Sequence, residues 1–223
     1  YELRGRGYPL ILIQGFSGNI DWWDPELINA LSGNFKVLIF DTRGSGRTIT
    51  PSDGNFSIRM LADDTASLMS SLGIEKANIL GFSLGGLIAQ ELTLSHAEKV
   101  NRLLLCSTSC GGKDMIMPGQ EVMKVFMDKS GGVEGQYSRT LYFMFPDQYV
   151  KDNPDYFANF RDRFMKAPIT DANAKRQFMA GLSASTYDRL QNITVPSLIM
   201  TGTDDILIPP DNSRRIAAQI PGA

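Results

Sequence analysis

Ser83 has the sequence surroundings of a catalytic nucleophile. It lies within "NILGFSLGG" (78–86), where an apolar, strand-like run ends at Gly81 and a helical pattern follows the serine. A G-x-S-x-G motif between a strand and a helix is typical of a nucleophile elbow, a turn so sharp that its backbone is strained. Gly81 and Gly85 leave room for that turn, which raises the hydroxyl above the sheet. The motif predicts attack by Ser83 on a carbonyl carbon. The structural alternative is a tight strand–helix turn with an incidental serine.

Attack on a carbonyl requires hydrogen-bond donors for the negative charge that develops on the carbonyl oxygen. The backbone N–H of Leu84, directly after the nucleophile, is the first candidate. The second is expected in the loop "QGFSG" (14–18), which follows the first buried strand. We assign this second donor to Phe16, because Gly15 before it allows the chain to turn the N–H inward. The alternative is that the loop is an ordinary turn at a strand end.

The single histidine of the sequence, His96, is too far along the chain to activate Ser83. It lies at the end of the helix that Ser83 begins, and a rise of about 1.5 Å per residue places it roughly 20 Å from the serine. A general base must come within about 3 Å of the group whose proton it takes. We therefore interpret His96 as a structural residue whose charge is favourable at a helix C-terminus.

Two carboxylates that could orient a catalytic base occur in "TGTDDILIPP" (201–210), after the fifth predicted strand. From the residues alone, either Asp204 or Asp205 could be that acid. Asp204 also fits a solvated turn residue or a local cap. The segment predicts an acid at the same sheet edge as the nucleophile.

Buried strands alternate with helices along the sequence, and the helices carry recognisable caps such as Asp24 before Pro25 and Ser57. This alternation predicts an α/β fold with a mainly parallel sheet and helices on both faces. In such sheets active residues gather beyond the carboxyl ends of the strands. The predicted strands are 9–14, 36–41, 77–82, 100–107 and 195–202. The predicted helices are 24–33, the segment between Ser57 and Gly73, 84–95 and 211–220.

Residues 112–187 interrupt the alternation and predict a helical cap inserted between two strands, over the active edge. Seven of the ten methionines and eleven of the 21 aromatic residues lie between Lys113 and Gly181. Most of them are expected to pack the cap against the core, and the remainder to line an apolar pocket. The predicted organisation is a first part of the core at 1–111, the cap at 112–187 and a second part of the core at 188–223.

Together these segments resemble the α/β-hydrolase superfamily. The resemblance rests on "LILIQG", "LIFDTRGSGRT", "LADDTASLMSSLGIEKANILGFSLGG" and "VPSLIMTGTDDILIPP", and only the cap lacks a specific match. The order and spacing of these blocks are most similar to the carboxylesterase and 3-oxoadipate enol-lactonase-like branch. In that branch the turn after the first of these strands usually reads His-Gly, whereas this sequence has Gln14-Gly15 there. The N–H role of Phe16 does not depend on that histidine.

The resemblance implies which aspartate is the acid. In the family the acid follows a glycine by three residues and precedes a proline by four. Gly202 and Pro209 fit this pattern with Asp205, so Asp205 rather than Asp204 is the expected acid.

The resemblance also implies a structural role for Asp41 and a position for the catalytic histidine. Asp41 resembles a family position that ties down its turn together with Arg43, so its expected role is structural. The family order is nucleophile, acid and then histidine, which places the catalytic histidine after Ala223. We expect this sequence to lack both ends of a longer protein.

The composition indicates which kinds of binding partner the protein is expected to have. A formal net charge of -2 over 223 residues gives no support for nucleic acid or an anionic membrane, and no apolar run approaches the ~20 residues of a membrane span. Cys106 and Cys110 lack zinc spacing and are interpreted as part-buried thiols, which favours a reduced, cytoplasmic compartment. The expected partner is a small-molecule ester or lactone, with no metal or other cofactor.

The predicted function is a serine hydrolase that cleaves a carboxylic ester or lactone of a small to medium, partly apolar substrate through an acyl-enzyme. A serine at position 83 argues against the haloalkane dehalogenase and epoxide hydrolase branches, which need a carboxylate nucleophile. Two alternatives share the same residues. One is a thioester, C–C bond or amide hydrolase, and the other is a hydrolase-like sensor whose pocket binds a small molecule and whose cap signals to a protein partner.

Overall fold

A computed structural model describes residues 1–51 and 54–223. The strands are β1 (Glu2–Arg4), β2 (Tyr8–Ile13), β3 (Phe35–Ile39), β4 (Ala77–Phe82), β5 (Val100–Cys106) and β6 (Ser197–Met200). The helices are α1 (Pro25–Ser32), α2 (Ile58–Ser71), α3 (Leu84–Ser95), α4 (Gln120–Met127), α5 (Gly132–Met144), α6 (Asp147–Asp152), α7 (Pro154–Phe164), α8 (Asp171–Ser183) and α9 (Asp211–Gln219).

The described strands form one sheet in the order β1-β3-β2-β4-β5-β6. β1 is antiparallel to β3, and each of the other neighbouring pairs is parallel. The predicted α/β fold with a mainly parallel sheet is therefore confirmed. Because parallel strands end at a common edge, the loops after β2, β4, β5 and β6 all lie along one side of the molecule.

Strand β2 illustrates how the sheet separates two apolar cores. Ile11 and Ile13 pack into the larger core, with side chains of α2, α3 and α9, whereas Leu10 and Leu12 pack into a smaller core with Ile28 of α1. All five side chains are at most 4% exposed. Successive side chains of a strand point to opposite faces, so a strand that is apolar at every position needs helices on both faces.

The helix ends predicted from capping residues are confirmed. The Asp24 side chain accepts hydrogen bonds from the N–H groups of Glu26 and Leu27 at 2.7 and 3.2 Å, and Ser57 accepts one from Met60 at 3.1 Å. Strand bounds agree less well, because strand β6 (197–200) is shorter than the predicted 195–202. Proline has no N–H to donate to a strand ladder, and Pro196 directly precedes β6.

The turn after β3 is tied down by Asp41, but not through Arg43. Asp41 is 8% exposed, and its two carboxylate oxygens accept hydrogen bonds from the N–H groups of Ile20 and Arg47, both at 2.8 Å. Arg43 instead binds Asp64 of α2 through two hydrogen bonds of 2.7 and 2.5 Å. Asp41 thus has the structural role that the resemblance implied, through backbone donors to both of its oxygens, while Asp64 offers the Arg43 guanidinium a bidentate carboxylate.

Helices α4 to α8 lie between β5 and β6 and form the predicted cap. The cap has its own aromatic core of Tyr137, Phe157, Phe160 and Phe164, all at most 8% exposed. Trp22, from the loop after β2, stacks on Phe164 with ring centroids 4.3 Å apart. The cap is thereby packed against the same loop region that follows β2. The exact domain boundaries at 112 and 187 stay a prediction.

Over the described ranges, none of the helices combines the length and the apolar character that crossing a bilayer requires. Cys106 and Cys110 are free thiols, and burial raises the pKa of both.

Candidate active site

Ser83 occupies a strained turn between β4 and α3. Its backbone has φ 54° and ψ -121°, a region that residues with a Cβ rarely adopt. Two contacts hold it there: the Ser83 N–H donates to the Cys106 carbonyl at 2.9 Å, and the Thr108 hydroxyl donates to the Ser83 carbonyl at 2.6 Å. The Ser83 side chain makes no capping hydrogen bond to α3, although it occupies the N-cap position. The hydroxyl is therefore not used in the way that serine usually is at a helix start.

The glycines around Ser83 are required by close backbone contacts. A Cβ on Gly85 would lie 2.1 Å from the Ile13 carbonyl oxygen, and a Cβ on Gly81 would lie 2.4 Å from the Gly85 carbonyl oxygen. Gly86, to which the sequence analysis gave no role, is also crowded, since its Cβ would lie 2.5 Å from the Thr108 side chain. The first turn of α3 thus packs directly on the ends of β2 and β5.

Replacing Gly85 by alanine is expected to lower the free energy of unfolding by about 3 kcal/mol, because the new methyl group meets a backbone carbonyl that cannot rotate away. Chemical denaturation followed by circular dichroism measures the change. Gly202→Ala is the matched control, since a Cβ at Gly202 meets no atom within 4 Å and the change should stay within about 0.5 kcal/mol. A Gly85→Ala variant as stable as this control would contradict the packing described here.

The loop after β2 lies against the nucleophile. A Cβ on Gly15 would be 3.0 Å from the Ser83 Cβ, and the Gly18 N–H donates to the Gly15 carbonyl at 3.1 Å, which closes a tight turn. Phe16 is the first central residue of that turn. Among the described residues, neither the Phe16 N–H nor the Leu84 N–H has a hydrogen-bond acceptor. Both predicted oxyanion donors thus belong to chain segments that flank Ser83.

Asp205 follows β6 at the same sheet edge. One carboxylate oxygen, Oδ1, accepts hydrogen bonds from the N–H groups of Leu207 and Ile208, at 3.1 and 2.8 Å. Asp205 is partly buried, whereas Asp204 is exposed. Ser83 follows β4 and Asp205 follows β6. Only β5 lies between these two strands, so the strands are about 10 Å apart. Two hydrogen bonds of about 3 Å with an imidazole between them span most of that distance.

His96 lies at the other end of α3, as its sequence position indicated. Its Nε2 is 2.7 Å from Asp63 Oδ1 on α2, and this hydrogen bond, with a smaller contribution from Arg59, holds the pKa of Asp63 below its usual value. His96 therefore joins two helices on the side of the molecule away from Ser83.

A cavity of about 580 Å³ lies between the cap and Ser83. Ser83, Phe16 and Leu84 all line it, while Leu207 and Ile208 bring the loop of Asp205 to its wall. Most of the remaining lining is apolar and comes from the cap, including Met115, Met123, Phe126, Phe143, Phe178 and Leu182. The cap methionines and aromatics therefore occur in three environments: some line this cavity, some form the core of the cap, and Met127, Tyr142 and Met179 are about half exposed.

Sequence reasoning assigned no role to two buried glutamines that line the cavity together with Ser83. Gln14 is 6% exposed and accepts a hydrogen bond from the Gly15 N–H at 2.9 Å. Gln177 of α8 is 1% exposed and contacts the turn through Ser17. No local motif marks Gln177, since its partners are distant in sequence. In the part of the chain that the structure covers, His, Cys, Asp and Glu side chains form no group of three that could hold a metal ion.

Comparison with known proteins agrees with this architecture. The family model of the alpha/beta hydrolase fold matches residues 8–223, and the chain belongs to the α/β-hydrolase family. The fold and its relatives define a hydrolase of that family, in the esterase- and lactonase-like branch that the sequence predicted.

Particular relatives carry different names. Over 223 residues the chain is 28% identical to a protein of Azorhizobium caulinodans named "Putative carbamate hydrolase RutD", with 100% of this chain and 83% of that protein covered. The enol-lactonase from Burkholderia xenovorans LB400 is similar in structure, with a TM-score of 0.83, 29% identity and coverage of 100% of this chain and 84% of that chain. Est816, described as an N-acyl homoserine lactone degrading enzyme, has a TM-score of 0.79, 26% identity and coverage of 100% and 85%.

Proposed function

We propose that this protein is a serine hydrolase that cleaves carboxylic esters or lactones of small to medium, partly apolar substrates. The observation that carries the proposal is the Ser83 hydroxyl. It projects from a strained elbow, is not used to cap α3, and belongs to a residue that lines a largely apolar cavity. Such strain persists only where the surrounding structure maintains it, and it is concentrated at functional sites.

In the proposed reaction Ser83 Oγ attacks the substrate carbonyl carbon while a histidine takes the serine proton. Negative charge moves to the carbonyl oxygen, where the N–H groups of Phe16 and Leu84 stabilise it. The tetrahedral intermediate then collapses, the bond to the leaving oxygen breaks, and the histidine gives its proton to that oxygen. Water attacks the acyl-enzyme in the same way and releases the acid and free Ser83.

The histidine of this mechanism comes, in our proposal, from residues after Ala223. His96 is the one histidine of residues 1–223, and it is bound to Asp63 at the far end of α3. In this proposal Asp205 orients the imidazole of the histidine after Ala223, and its hydrogen bonds support the role, since backbone N–H groups bind Oδ1 and leave Oδ2 to accept from an imidazole N–H.

The cavity supports a partly apolar ester or lactone. Its volume of about 580 Å³ lies within the range for drug-sized ligands, and four methionines and six aromatic residues are among those that line it. Two structures similar to this chain are described as an enol-lactonase and as an enzyme that degrades N-acyl homoserine lactones. In a lactone the leaving alkoxide stays attached to the acyl group, so one cavity must hold both parts.

Carbamate cleavage is a second candidate, favoured by the name of the relative from Azorhizobium caulinodans. It would use the same nucleophile and the same oxyanion donors. Nitrogen donation into a carbamate carbonyl makes the carbon less electrophilic, so the carbamoyl-enzyme should turn over more slowly than an acyl-enzyme. The large apolar wall favours esters and lactones over a small polar carbamate.

Steady-state hydrolysis by the full-length protein tests the proposal. We expect many turnovers of p-nitrophenyl butyrate and of an aliphatic lactone, with kcat/KM higher than for the p-nitrophenyl carbamate of matched size. A higher value for the carbamate would favour the second candidate. A single equivalent of p-nitrophenol followed by a stable modified protein would favour the sensor alternative and contradict the proposed hydrolase.

A further inference from the structure

We propose that Gln177, on the cap helix α8, is a positioning residue that fixes the turn carrying Phe16. This inference rests on the proposed function, because it concerns the N–H assigned as an oxyanion donor. Gln177 Oε1 accepts a hydrogen bond from the Ser17 N–H at 3.0 Å, across 160 residues of sequence. Gln177 is 1% exposed and Ser17 is 2% exposed, so water does not compete for this contact.

The Ser17 N–H belongs to the central peptide of the turn Gly15–Gly18. Since the Gly18 N–H closes the turn on the Gly15 carbonyl, Phe16 and Ser17 are its two central residues. Ser17 has φ 61°, a left-handed value that turns of this kind usually assign to glycine or asparagine. A serine keeps such a conformation only where other contacts maintain it. The acceptor on Gln177 is such a contact, and it fixes the orientation of the peptide that follows Phe16.

The other end of the Gln177 amide is anchored in the core. Its Nε2 donates to the Ser45 hydroxyl at 2.7 Å, and Ser45 is fully buried in the loop after β3. The amide orientation is therefore determined at both ends: rotating it by 180° would place an NH₂ group against the Ser17 N–H. Gln177 joins the loops after β2 and β3 through directional hydrogen bonds.

The residue after Gln177 contacts the same turn from another side. The Phe178 ring packs edge-on against the Phe16 ring with centroids 6.4 Å apart, and Phe126 of α4 packs against Phe16 at 5.6 Å. Ring packing tolerates small shifts, whereas a hydrogen bond in a dry site does not. The cap thus fixes the position of the Phe16 side chain by ring packing. It fixes the orientation of the peptide between Phe16 and Ser17 through the hydrogen bond to Gln177.

Displacing an oxyanion donor affects the transition state more than substrate binding. Removing one donor outright lowers kcat about 10²–10³-fold in acyl-transfer enzymes. Here the Phe16 N–H would stay present but lose its fixed position, so we expect Gln177→Leu to lower kcat about 10- to 100-fold. KM should change little, because the cavity wall that binds the apolar part of the substrate is retained.

The experiment uses the full-length protein and three variants, Gln177→Leu, Gln177→Glu and Asn173→Ala. Glutamate keeps an oxygen for the Ser17 N–H, and its second oxygen can accept from the Ser45 hydroxyl. A carboxylate there is buried and also faces the Arg43 carbonyl oxygen, 3.5 Å from Nε2, so Gln177→Glu should recover part of the lost kcat. Asn173 is the matched control on α8: its Nδ2 donates to the Gly44 carbonyl at 3.1 Å in the loop after β3, and it does not touch the turn. We expect Asn173→Ala to keep kcat.

Two readouts decide the outcome: kcat and KM for p-nitrophenyl butyrate, and the rate of covalent labelling by a fluorophosphonate. A loss of kcat at constant KM, recovered in part by Gln177→Glu, supports the inference. An equal loss in Asn173→Ala, or a change confined to KM, overturns it. If Gln177→Leu does not fold, Ser45→Ala decides, because it removes the anchor of Nε2: a lower kcat supports the inference and an unchanged kcat overturns it.

The labelling rate separates this inference from the proposed function. If the unsubstituted protein is not labelled at Ser83, the proposed function fails and the inference fails with it. If Ser83 is labelled and Gln177→Leu reacts equally fast, the hydrolase proposal stands and only the role of Gln177 is overturned.

Discussion

Replacing Ser83 by alanine is expected to lower the kcat of ester hydrolysis by about 10⁶-fold, to the level of water-mediated cleavage in the cavity. The variant removes the only oxygen that the proposed mechanism uses to form the acyl-enzyme. It should also abolish covalent labelling by a fluorophosphonate. Initial rates with p-nitrophenyl butyrate and mass spectrometry of the labelled protein measure the two effects.

The fold should survive this substitution. The Ser83 hydroxyl makes no capping hydrogen bond, and the contacts that hold residue 83 in its strained conformation use its N–H and carbonyl groups. The thermal midpoint of Ser83→Ala should therefore stay within a few degrees of the unsubstituted protein, so lost activity reports lost chemistry.

Ser107→Ala is the matched control for that experiment. Ser107 also has a left-handed backbone, with φ 44°, and it follows β5 at the same sheet edge. Its N–H donates to the Met200 carbonyl at 2.9 Å, which alanine retains. The control should keep its turnover. Labelling that persists in Ser83→Ala, or a comparable loss in Ser107→Ala, would contradict the assignment of the nucleophile.

The elbow was predictable because contiguous residues build it. Gly81, Ser83 and Gly85 lie within nine contiguous residues, so a short window contains the signal, although the contact that requires Gly85 is with Ile13 of β2. The parallel sheet was predictable for a related reason, since the inner strands β2 and β4 are largely buried on both faces and are therefore apolar over most of their length.

Polar contacts between residues that are distant in sequence leave no such local motif. Gln177 and Ser17 are 160 residues apart, and nothing near either residue indicates the other. The same holds for Arg43, whose partner Asp64 lies 21 residues further along the chain on α2. Helical spacing in the cap could not separate cavity-lining methionines from packing ones, because both environments are apolar. These features depend on how the cap sits on the sheet, which is decided by tertiary packing.

Asp205→Asn is the second substitution with a large expected effect, a loss of about 10⁴-fold in kcat in the full-length protein. The asparagine oxygen can still accept the hydrogen bonds that Leu207 and Ile208 give to Oδ1, so the loop should keep its shape. Its NH₂ group then takes the place of Oδ2. An NH₂ group cannot accept a hydrogen bond from an imidazole N–H, so the histidine loses the partner that sets its tautomer and stabilises its charge.

The neighbouring aspartate provides the control for this prediction. Asp204→Asn removes the same charge one residue away, at an exposed position, and should change kcat less than about threefold because solvent screens a surface charge. Steady-state rates of both variants between pH 5 and 9 distinguish the two roles. Asp205→Asn should be impaired across that range, since the defect is a missing acceptor and not a shifted titration. If Asp204→Asn showed the larger loss, the acid would be Asp204, and the glycine-to-proline spacing around Asp205 would have selected the wrong residue.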